Sequence, residues 1–267
     1  MQKGMALLIS VNEVNPDAYD GEWNGRLRFP ESDAEAIAEI AVGFEKHFLR
    51  TAEATIEGVK DKIKEAADAL EPGDIFLMFY SGHGNTIKDR SGDEFGDNRD
   101  ETMCLYDGEL LDDELYALWP RFADGVRVLV MSDSCHSGSI TRGGDDDDVP
   151  KAMPQDVAKS VVRFDPEHYV RVRRTLPAEP GTIGATVRLI SGCQEYERSW
   201  ENKPLKHGRF TAAVLEAWDN GRFEGNYEAF HAAICKAKAL GTKQTPNFDT
   251  LGASNPKFDS EKPFSIE

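Results

Sequence analysis

Two side chains of this sequence are of the types that make and break acyl bonds, and each stands beside glycine at the end of an apolar run. Ile75–Ser81 (IFLMFYS) leads into Gly82-His83-Gly84, and residues 127–132 (RVLVMS) lead into Asp133-Ser134-Cys135-His136-Ser137-Gly138. Cys135 follows His83 by 52 residues. A thiol becomes a strong nucleophile when an imidazole within hydrogen-bond reach takes its proton, and the thiolate then attacks a carbonyl carbon. The resulting oxyanion needs fixed donors. The backbone N–H groups of Gly84 and Cys135 are the natural candidates, because glycine lets a substrate approach the main chain. Singly, Cys135 reads equally well as an inert buried thiol and His83 as a turn histidine. Together, each at a strand end, they read as a Cys–His dyad.

The elements that must position this pair alternate between strand and helix patterns. Residues 5–11 look like a buried parallel strand, and 12–29, with Pro16, Gly21 and Gly25, like a loop. Ser32 with Glu35 three residues on has the form of a capping box. Ile37, Ile40, Ala41, Phe44 and Phe48 follow at helical spacing, which predicts a helix over 33–50. Thr55 caps a second helix through Val59, Ile63, Ala66, Ala67 and Leu70, stopped by Pro72-Gly73. Beyond the strand at 75–81, residues 86–100 read as a loop and 103–106 as a short strand, and Asp112 caps a helix through Leu115, Leu118 and Trp119. The strand at 127–132 precedes a long irregular stretch, 139–186, with short pieces at 157–164 and 168–172. A strand at 187–191 ends at Gly192-Cys193. A helix through Phe210, Ala213, Val214, Leu215 and Trp218, another over 226–240, and a closing strand at 245–248 complete the chain. Buried strands alternating with helices predict an α/β fold with a mostly parallel sheet and helices on both faces. Such a sheet presents reactive groups at the carboxyl ends of its strands.

A chain of 267 residues with a formal net charge of −17 suits one substantial core and a surface that repels nucleic acid and anionic lipid. No apolar run approaches the roughly 20 residues of a membrane span, and the apolar start at 5–11 is too short for a signal peptide. Cys104, Cys135, Cys193 and Cys235 show no CxxC spacing, which argues against a zinc site or disulfide framework. A reducing, cytoplasmic setting is the expectation.

Tyr80-Ser81-Gly82-His83-Gly84 and Asp133-Ser134-Cys135-His136-Ser137-Gly138 resemble the signatures of the caspase/metacaspase clan of cysteine peptidases. The likeness extends to residues 5–12 (MALLISVN), to the Asp33-Ala34 pair, to Leu111-Asp112-Asp113-Glu114-Leu115, to Ile190-Ser191-Gly192-Cys193-Gln194 and to Gly208-Arg209-Phe210-Thr211. It covers nearly the whole chain except much of 139–186. Animal caspases carry QAC before R, Q or G at the nucleophile, whereas this chain carries Asp133-Ser134-Cys135, so it is more similar to metacaspases and their bacterial relatives. The resemblance implies the caspase-hemoglobinase fold, with a mostly parallel sheet of about six strands. It also implies one peptidase domain over 1–267: a large-subunit-like part (1–138), a linker or activation loop (139–186) and a small-subunit-like part (187–267).

In metacaspases an aspartate two before the cysteine, the aspartate opening the first helix and the serine two before the histidine form an acidic S1 pocket. Asp133, Asp33 and Ser81 match, and a recessed carboxylate pair selects guanidinium or ammonium. Cleavage after Arg or Lys is therefore expected, with Cys135 as nucleophile and His83 as general acid/base. Plain structural roles also account for parts of this set, since Asp33 at a helix N-terminus is favourable on dipole grounds alone.

No cofactor is required by this chemistry, but several metacaspases bind calcium through aspartates, and Asp100, Asp112 and Asp113 match that pattern. The remaining family ligand falls on Arg142, a cation, which argues against the site; the acidic run 145–148 is a substitute or simply solvated. The 139–186 segment contains Lys151, Lys159, Arg163, Arg171, Arg173 and Arg174, residue types the chain's own pocket should accept. A zymogen cleaved there, by itself or by an upstream protease, is the expectation, with Arg163, Arg171, Arg173 and Arg174 as candidate processing sites. The implied partners are protein substrates with a basic residue before the cut, and the implied state is a monomer. Bacterial stress, cell death and antiphage defence are settings the family suggests. The contrasting reading is a catalytically silent scaffold, against which the intact Cys135 and His83 speak.

Overall fold

Five weakly alternating apolar or edge stretches become the parallel part of one sheet, as buried strands covered on both faces must. The computed structural model describes residues 1–88, 99–135, 147–164, 167–177, 181–194, 197–242 and 244–267. In chain order its elements are β1 (Gly4–Ser10), α1 (Pro30–Ile40), β2 (Glu45–Arg50), α2 (Ile56–Ala69), β3 (Ile75–Ser81), β4 (Gly84–Lys88), β5 (Arg99–Leu105), β6 (Gly108–Leu111) and α3 (Asp112–Tyr116). There follow β7 (Arg127–Asp133), β8 (Asp148–Pro150), α4 (Gln155–Phe164), α5 (His168–Thr175), β9 (Thr186–Ser191), β10 (Trp200–Asn202), β11 (His207–Gly208), α6 (Arg209–Trp218), α7 (Tyr227–Ile234), β12 (Asn247–Gly252) and α8 (Pro256–Ser260).

The main sheet has the order β12-β9-β7-β3-β1-β2, and only the edge strand β12 runs antiparallel. The six-stranded, mostly parallel expectation therefore holds. Period-two alternation sends Phe76 and Met78 of β3 and Val128 and Val130 of β7 to the face covered by Val59 and Ile63 of α2. Ile75, Leu77, Phe79, Leu129 and Met131 go to the opposite face, against Ile37 of α1, Phe210 of α6 and Phe230 of α7. Each such fully buried side chain contributes about 1.5–3 kcal/mol. All seven residues of both β3 and β7 are buried, which makes this pair a stiff base for whatever follows it.

Two expectations at the start of the chain need correction. The helix expected over 33–50 stops at Ile40, and residues 45–50 form β2, paired in parallel with β1. Gly43, with φ +81°, lies between the two elements and turns the chain. Phe44 and Phe48 continued the helical period by coincidence, and Glu45 and Lys46 are exposed, as suits an edge strand. Ser32 does not cap α1 either: Pro30 occupies its first turn after Phe29, with no side-chain cap. Further on, Asp112 lies within α3 rather than capping it; Leu111 is the cap residue, and its N–H donates to Glu114 at 3.1 Å. Of residues 86–100, read as loop, 86–88 belong to β4 and 99–100 to β5, while 89–98 lie outside the described residues, and the 139–186 segment supplies β8, α4 and α5. The helix expected over 226–240 is α7 followed by a 3-10 turn at Lys238–Leu240. Among the described residues no helix is long and apolar enough to cross a membrane.

Two three-stranded sheets flank the main one, β4-β5-β6 and β8-β10-β11. β10 receives β8 in antiparallel register, Trp200 opposite Pro150 and Asn202 opposite Asp148.

Candidate active site

Parallel pairing of β3 with β7 places Ser81 opposite Asp133. The chain leaves the sheet at the same level on both strands, and two residues later comes His83 on one side and Cys135 on the other. Their alignment is thus a consequence of register. Gly84 lies against the main chain of Cys135: a Cβ there would meet the Cys135 carbonyl oxygen at 2.4 Å. No other residue allows that approach.

Between these two strand ends sits Lys151, the residue immediately after β8, fully buried. Its carbonyl oxygen accepts hydrogen bonds from Gly84 N and from Cys135 N, each at 3.1 Å. Its own N–H donates to the Ser199 carbonyl at 2.9 Å. Its ammonium donates to Asp33 Oδ2 and to Ser81 Oγ, both at 2.9 Å, and lies 3.3 Å from Asp133 Oδ2. Beyond it, Ala152 bridges Gly84 in parallel, and Met153 N donates to the Gly84 carbonyl at 2.8 Å. The three residues proposed for an acidic pocket therefore converge on one cation, and the two amides proposed as oxyanion donors converge on one carbonyl.

The pocket carboxylates are held rigidly by other groups. Asp33 Oδ1 accepts from Gly208 N at 3.0 Å and faces His207 Nδ1 at 3.0 Å, while Oδ2 accepts from Ser81 Oγ at 2.8 Å. Asp133 accepts from Ser199 Oγ at 2.6 Å, Thr211 N at 3.0 Å and Thr211 Oγ1 at 2.7 Å. Asp33 begins this work from the first turn of α1, and Asp133 from the last residue of β7. Burial by itself would raise the Asp33 carboxyl, but the Lys151 charge and the hydrogen bonds from His207, Lys151 and Ser81 hold it below its usual range. Burial would likewise lower the Lys151 ammonium, and the Asp133 and Asp33 charges raise it instead. Gly208 forms the remaining wall, since a Cβ there would fall 2.0 Å from Asp133 Oδ2 and 2.4 Å from Lys151 Nζ.

His83 is buried, with Nε2 donating to the Gly25 carbonyl at 2.9 Å and Trp23 edge-on to the ring at 5.1 Å. Donation through Nε2 leaves the lone pair of the neutral ring on Nδ1. Burial lowers the imidazole to about 4, helped by the Lys151 charge and opposed by the backbone of Gly25 and Ala152. The ring is thus neutral near pH 7 and able to accept a proton. Tyr80 Oη steadies the turn by donating to the His83 carbonyl at 2.6 Å. Cys135 Sγ lies 3.0 Å from the Glu197 carbonyl, and Cys135, Ala152 and Cys193 share one small buried cluster. The Cys193 thiol is pushed up by its hydrogen bond with Cys135 and by burial.

Sequence reasoning named Asp33, Ser81, His83, Gly84, Asp133 and Cys135. The fold gathers Asp33, Ser81 and Asp133 around the Lys151 ammonium and Gly84 and Cys135 around its carbonyl. His83 and Cys135, however, are not hydrogen-bonded to each other: Nε2 goes to Gly25, Nδ1 has no hydrogen-bond partner among the described residues, and the thiol goes to Glu197. Sequence reasoning missed Ser199, His207, Gly208 and Thr211 as parts of the pocket. Gly208 and Thr211 lay inside a segment already singled out, but nothing in their spacing tied them to Asp133. It counted Lys151 among the basic residues the pocket should accept but put forward Arg163, Arg171, Arg173 and Arg174 as processing candidates. Arg163, Arg171 and Arg174 are exposed on α4 and α5, and Arg173 is engaged elsewhere.

That engagement bears on the metal expectation. The Arg173 guanidinium pairs with Asp100 and lies 3.8 Å from Asp113 Oδ2. Burial and the charges of Asp113 and Glu101 push the Asp112 carboxyl up to about 8. Among the described residues no group of three or more carboxylate, imidazole or thiol ligands suits a metal ion. In this arrangement Arg173 pairs with Asp100 and Asp113 and takes the place a calcium ion would need between them. Arg142 and the first half of the 145–148 run lie outside the described residues.

Residues 3–255 match the model of the caspase domain (Peptidase_C14). Metacaspase-2 of Arabidopsis thaliana is 30% identical over 155 residues, covering 56% of this chain and 34% of that protein. Metacaspase-1 of Schizosaccharomyces pombe is 35% identical over 153 residues, covering 51% and 34%. The matched part spans about a third of the length of each of these two relatives. The crystal structure of protein GSU0716 from Geobacter sulfurreducens superposes with a TM-score of 0.86 at 44% identity, covering 98% of both chains. Caspase-1 from Spodoptera frugiperda superposes with a TM-score of 0.58 at 13% identity over 93% of this chain and 86% of its own, a likeness of fold. With its six-stranded sheet, its paired strand ends and a family match over nearly its whole length, the chain belongs to the caspase domain family of cysteine peptidases.

Proposed function

We propose that this chain is a cysteine endopeptidase that cuts after lysine or arginine, made as a zymogen whose own Lys151–Ala152 bond is the processing site. The observation that carries the reading is the posture of Lys151. Its ammonium is in the carboxylate pocket while its carbonyl lies between the Gly84 and Cys135 amides. A lysine in a structural ion pair has no need of its carbonyl in that place; a residue about to be cut does.

The chemistry follows from the geometry. His83 takes the Cys135 proton, and the thiolate attacks the carbonyl carbon of Lys151. The negative charge moves onto the carbonyl oxygen, where two main-chain donors already point. Collapse breaks the bond to Ala152, whose nitrogen receives the proton from His83, and leaves Lys151 joined to Cys135 as a thioester. A water, deprotonated by His83, then releases the Lys151 carboxylate and restores the thiol. Specificity rests on the pocket: with Asp33 and Asp133 buried and tightly hydrogen-bonded, an uncharged residue before the cut would leave two carboxylates without a counter-ion.

Incubation of purified protein, followed by N-terminal sequencing of fragments, tests the reading. A new terminus at Ala152 is expected from the wild type and none from Cys135→Ala. Peptide reporters ending in Arg, Lys or Asp complete the test. Preference for Asp would overturn the pocket assignment, and an active enzyme that stays full-length would overturn self-processing.

A further inference from the structure

The segment before Lys151 is an extended strand whose side chains occupy places on the body of the protein, and one place is chemically selective. Asp148 stands three residues before Lys151, at the P4 position if the Lys151–Ala152 bond is the one cut. Its side chain is fully buried. Arg209 grips it bidentately, Nε to Oδ1 and Nη2 to Oδ2, each at 3.1 Å. Asn202 Nδ2 donates to Oδ1 at 2.6 Å. The guanidinium is itself held in place, because Arg209 Nη1 donates to the Ala239 carbonyl at 2.9 Å. Val149, by contrast, is 40% exposed.

The donors to Asp148 belong to β10 and α6, outside the cleaved segment, and β10 is also the strand on which β8 lies in register. Departure of the segment would leave Arg209 and Asn202 in the cleft as an anion-binding subsite, at a fixed spacing from the cation-binding pocket. We infer that the enzyme recognises substrates at two charged points, with an acidic residue at P4 and a basic residue at P1, so that the class is Asp-x-x-Lys or Asp-x-x-Arg. A fork of guanidinium donors suits a carboxylate geometrically. A neutral P4 residue would leave a mostly buried cation without its partner, and a basic one would repel it. The inference rests on the peptidase reading above.

The test uses the whole protein after self-processing and coumarin reporters of the form X-Val-Pro-Lys, with X as Asp, Asn, Ala or Lys. Hydrogen bonds to a charged group are worth about 1.5–3 kcal/mol, so kcat/KM for Asp over Ala should be about tenfold to a hundredfold, with Lys lowest. Arg209→Gln should collapse the Asp-to-Ala ratio, and Arg209→Glu should favour Lys over Asp. Good cleavage of all four reporters with Asp and Ala within twofold of each other overturns the inference alone. Failure to cleave any of them overturns the peptidase reading, and this inference falls with it. The wild-type panel needs no variant to fold.

Discussion

Two clusters of carboxylates in this protein each hold a basic side chain from the same connecting segment, and they do different things. Around Lys151 the partners are Asp33 and Asp133, both fully buried, both satisfied by hydroxyls and main-chain amides, with two further amides on the lysine carbonyl. Around Arg173 the partners are Asp100 and Asp113, the latter 38% exposed. The Arg173 helix is docked as well by Tyr169, whose hydroxyl donates to Glu109, and by apolar contact of Tyr169 with Ile87 and Leu111. The lesson is that a cation among carboxylates says little about chemistry. What marks the first cluster is the main chain: a carbonyl placed at two donors, next to a thiol and an imidazole. The second cluster fastens the α5 helix to β5 and α3.

The strongest way to break this comparison is to remove each cation in turn. Lys151→Ala leaves two buried carboxylates without a counter-ion and should cost about 3–5 kcal/mol in denaturant unfolding of the Cys135→Ala background. Arg173→Ala also strands a buried carboxylate, Asp100, but the second partner, Asp113, is 38% exposed, so the loss should be smaller, about 1–3 kcal/mol. Equal losses would erase the distinction. The carboxylates can be compared in turnover. Asp133→Asn should lower kcat/KM on a lysine reporter by about a hundredfold, as loss of one charge-assisted contact predicts, while Asp113→Asn should stay within about twofold.

A pH series sharpens the picture at His83. Its folded value, about 4, lies below the ordinary 6.5, so between those limits the unfolded chain binds more protons. Stability due to this ring is complete above about pH 6.5 and is lost as pH falls through about 4. Unfolding free energies of Cys135→Ala at pH 7.5 and 4.5 should differ, and His83→Gln in the same background should narrow the difference. An unchanged difference would refute a buried neutral ring. The smallest expected effect is that of calcium. With Arg173 between Asp100 and Asp113, millimolar calcium should change the stability of Cys135→Ala by less than about 0.5 kcal/mol, in line with binding no tighter than millimolar. A larger stabilisation would show that the metal displaces the arginine.

Much of the site was legible before folding was considered. Apolar runs at 75–81 and 127–132, each leading within three residues to a reactive side chain, were legible as buried strands, because residues without alternation need cover on both faces; that the two are neighbours is a fact of the fold. Asp33 was legible through the family resemblance of the Asp33-Ala34 pair, even though the cap proposed beside it was wrong and the helix ends ten residues sooner than its spacing suggested. Periodicity carried Phe44 and Phe48 into that helix because it records side-chain spacing and is blind to the turn that Gly43 makes. The remaining pocket residues, Ser199, His207, Gly208 and Thr211, come from β10, β11 and their surroundings, and only the fold of the second half brings them back to Asp33 and Asp133.

The order of the residues by itself determined the chemistry on offer: a thiol, an imidazole, their glycine neighbours and the carboxylates beside them, all local to strand and helix ends. Which basic residue of the long segment would meet that chemistry was a question of distance in space. Lys151 and Arg173 are alike in charge and belong to the same long segment. The antiparallel register of β8 on β10 puts Lys151 into the buried pocket with its carbonyl on two amides, and the packing of α5 carries Arg173 to a different carboxylate pair. Charge in the chain is long-range and unspecific; hydrogen-bond geometry acts within about 3 Å, and only the tertiary structure sets distances that short.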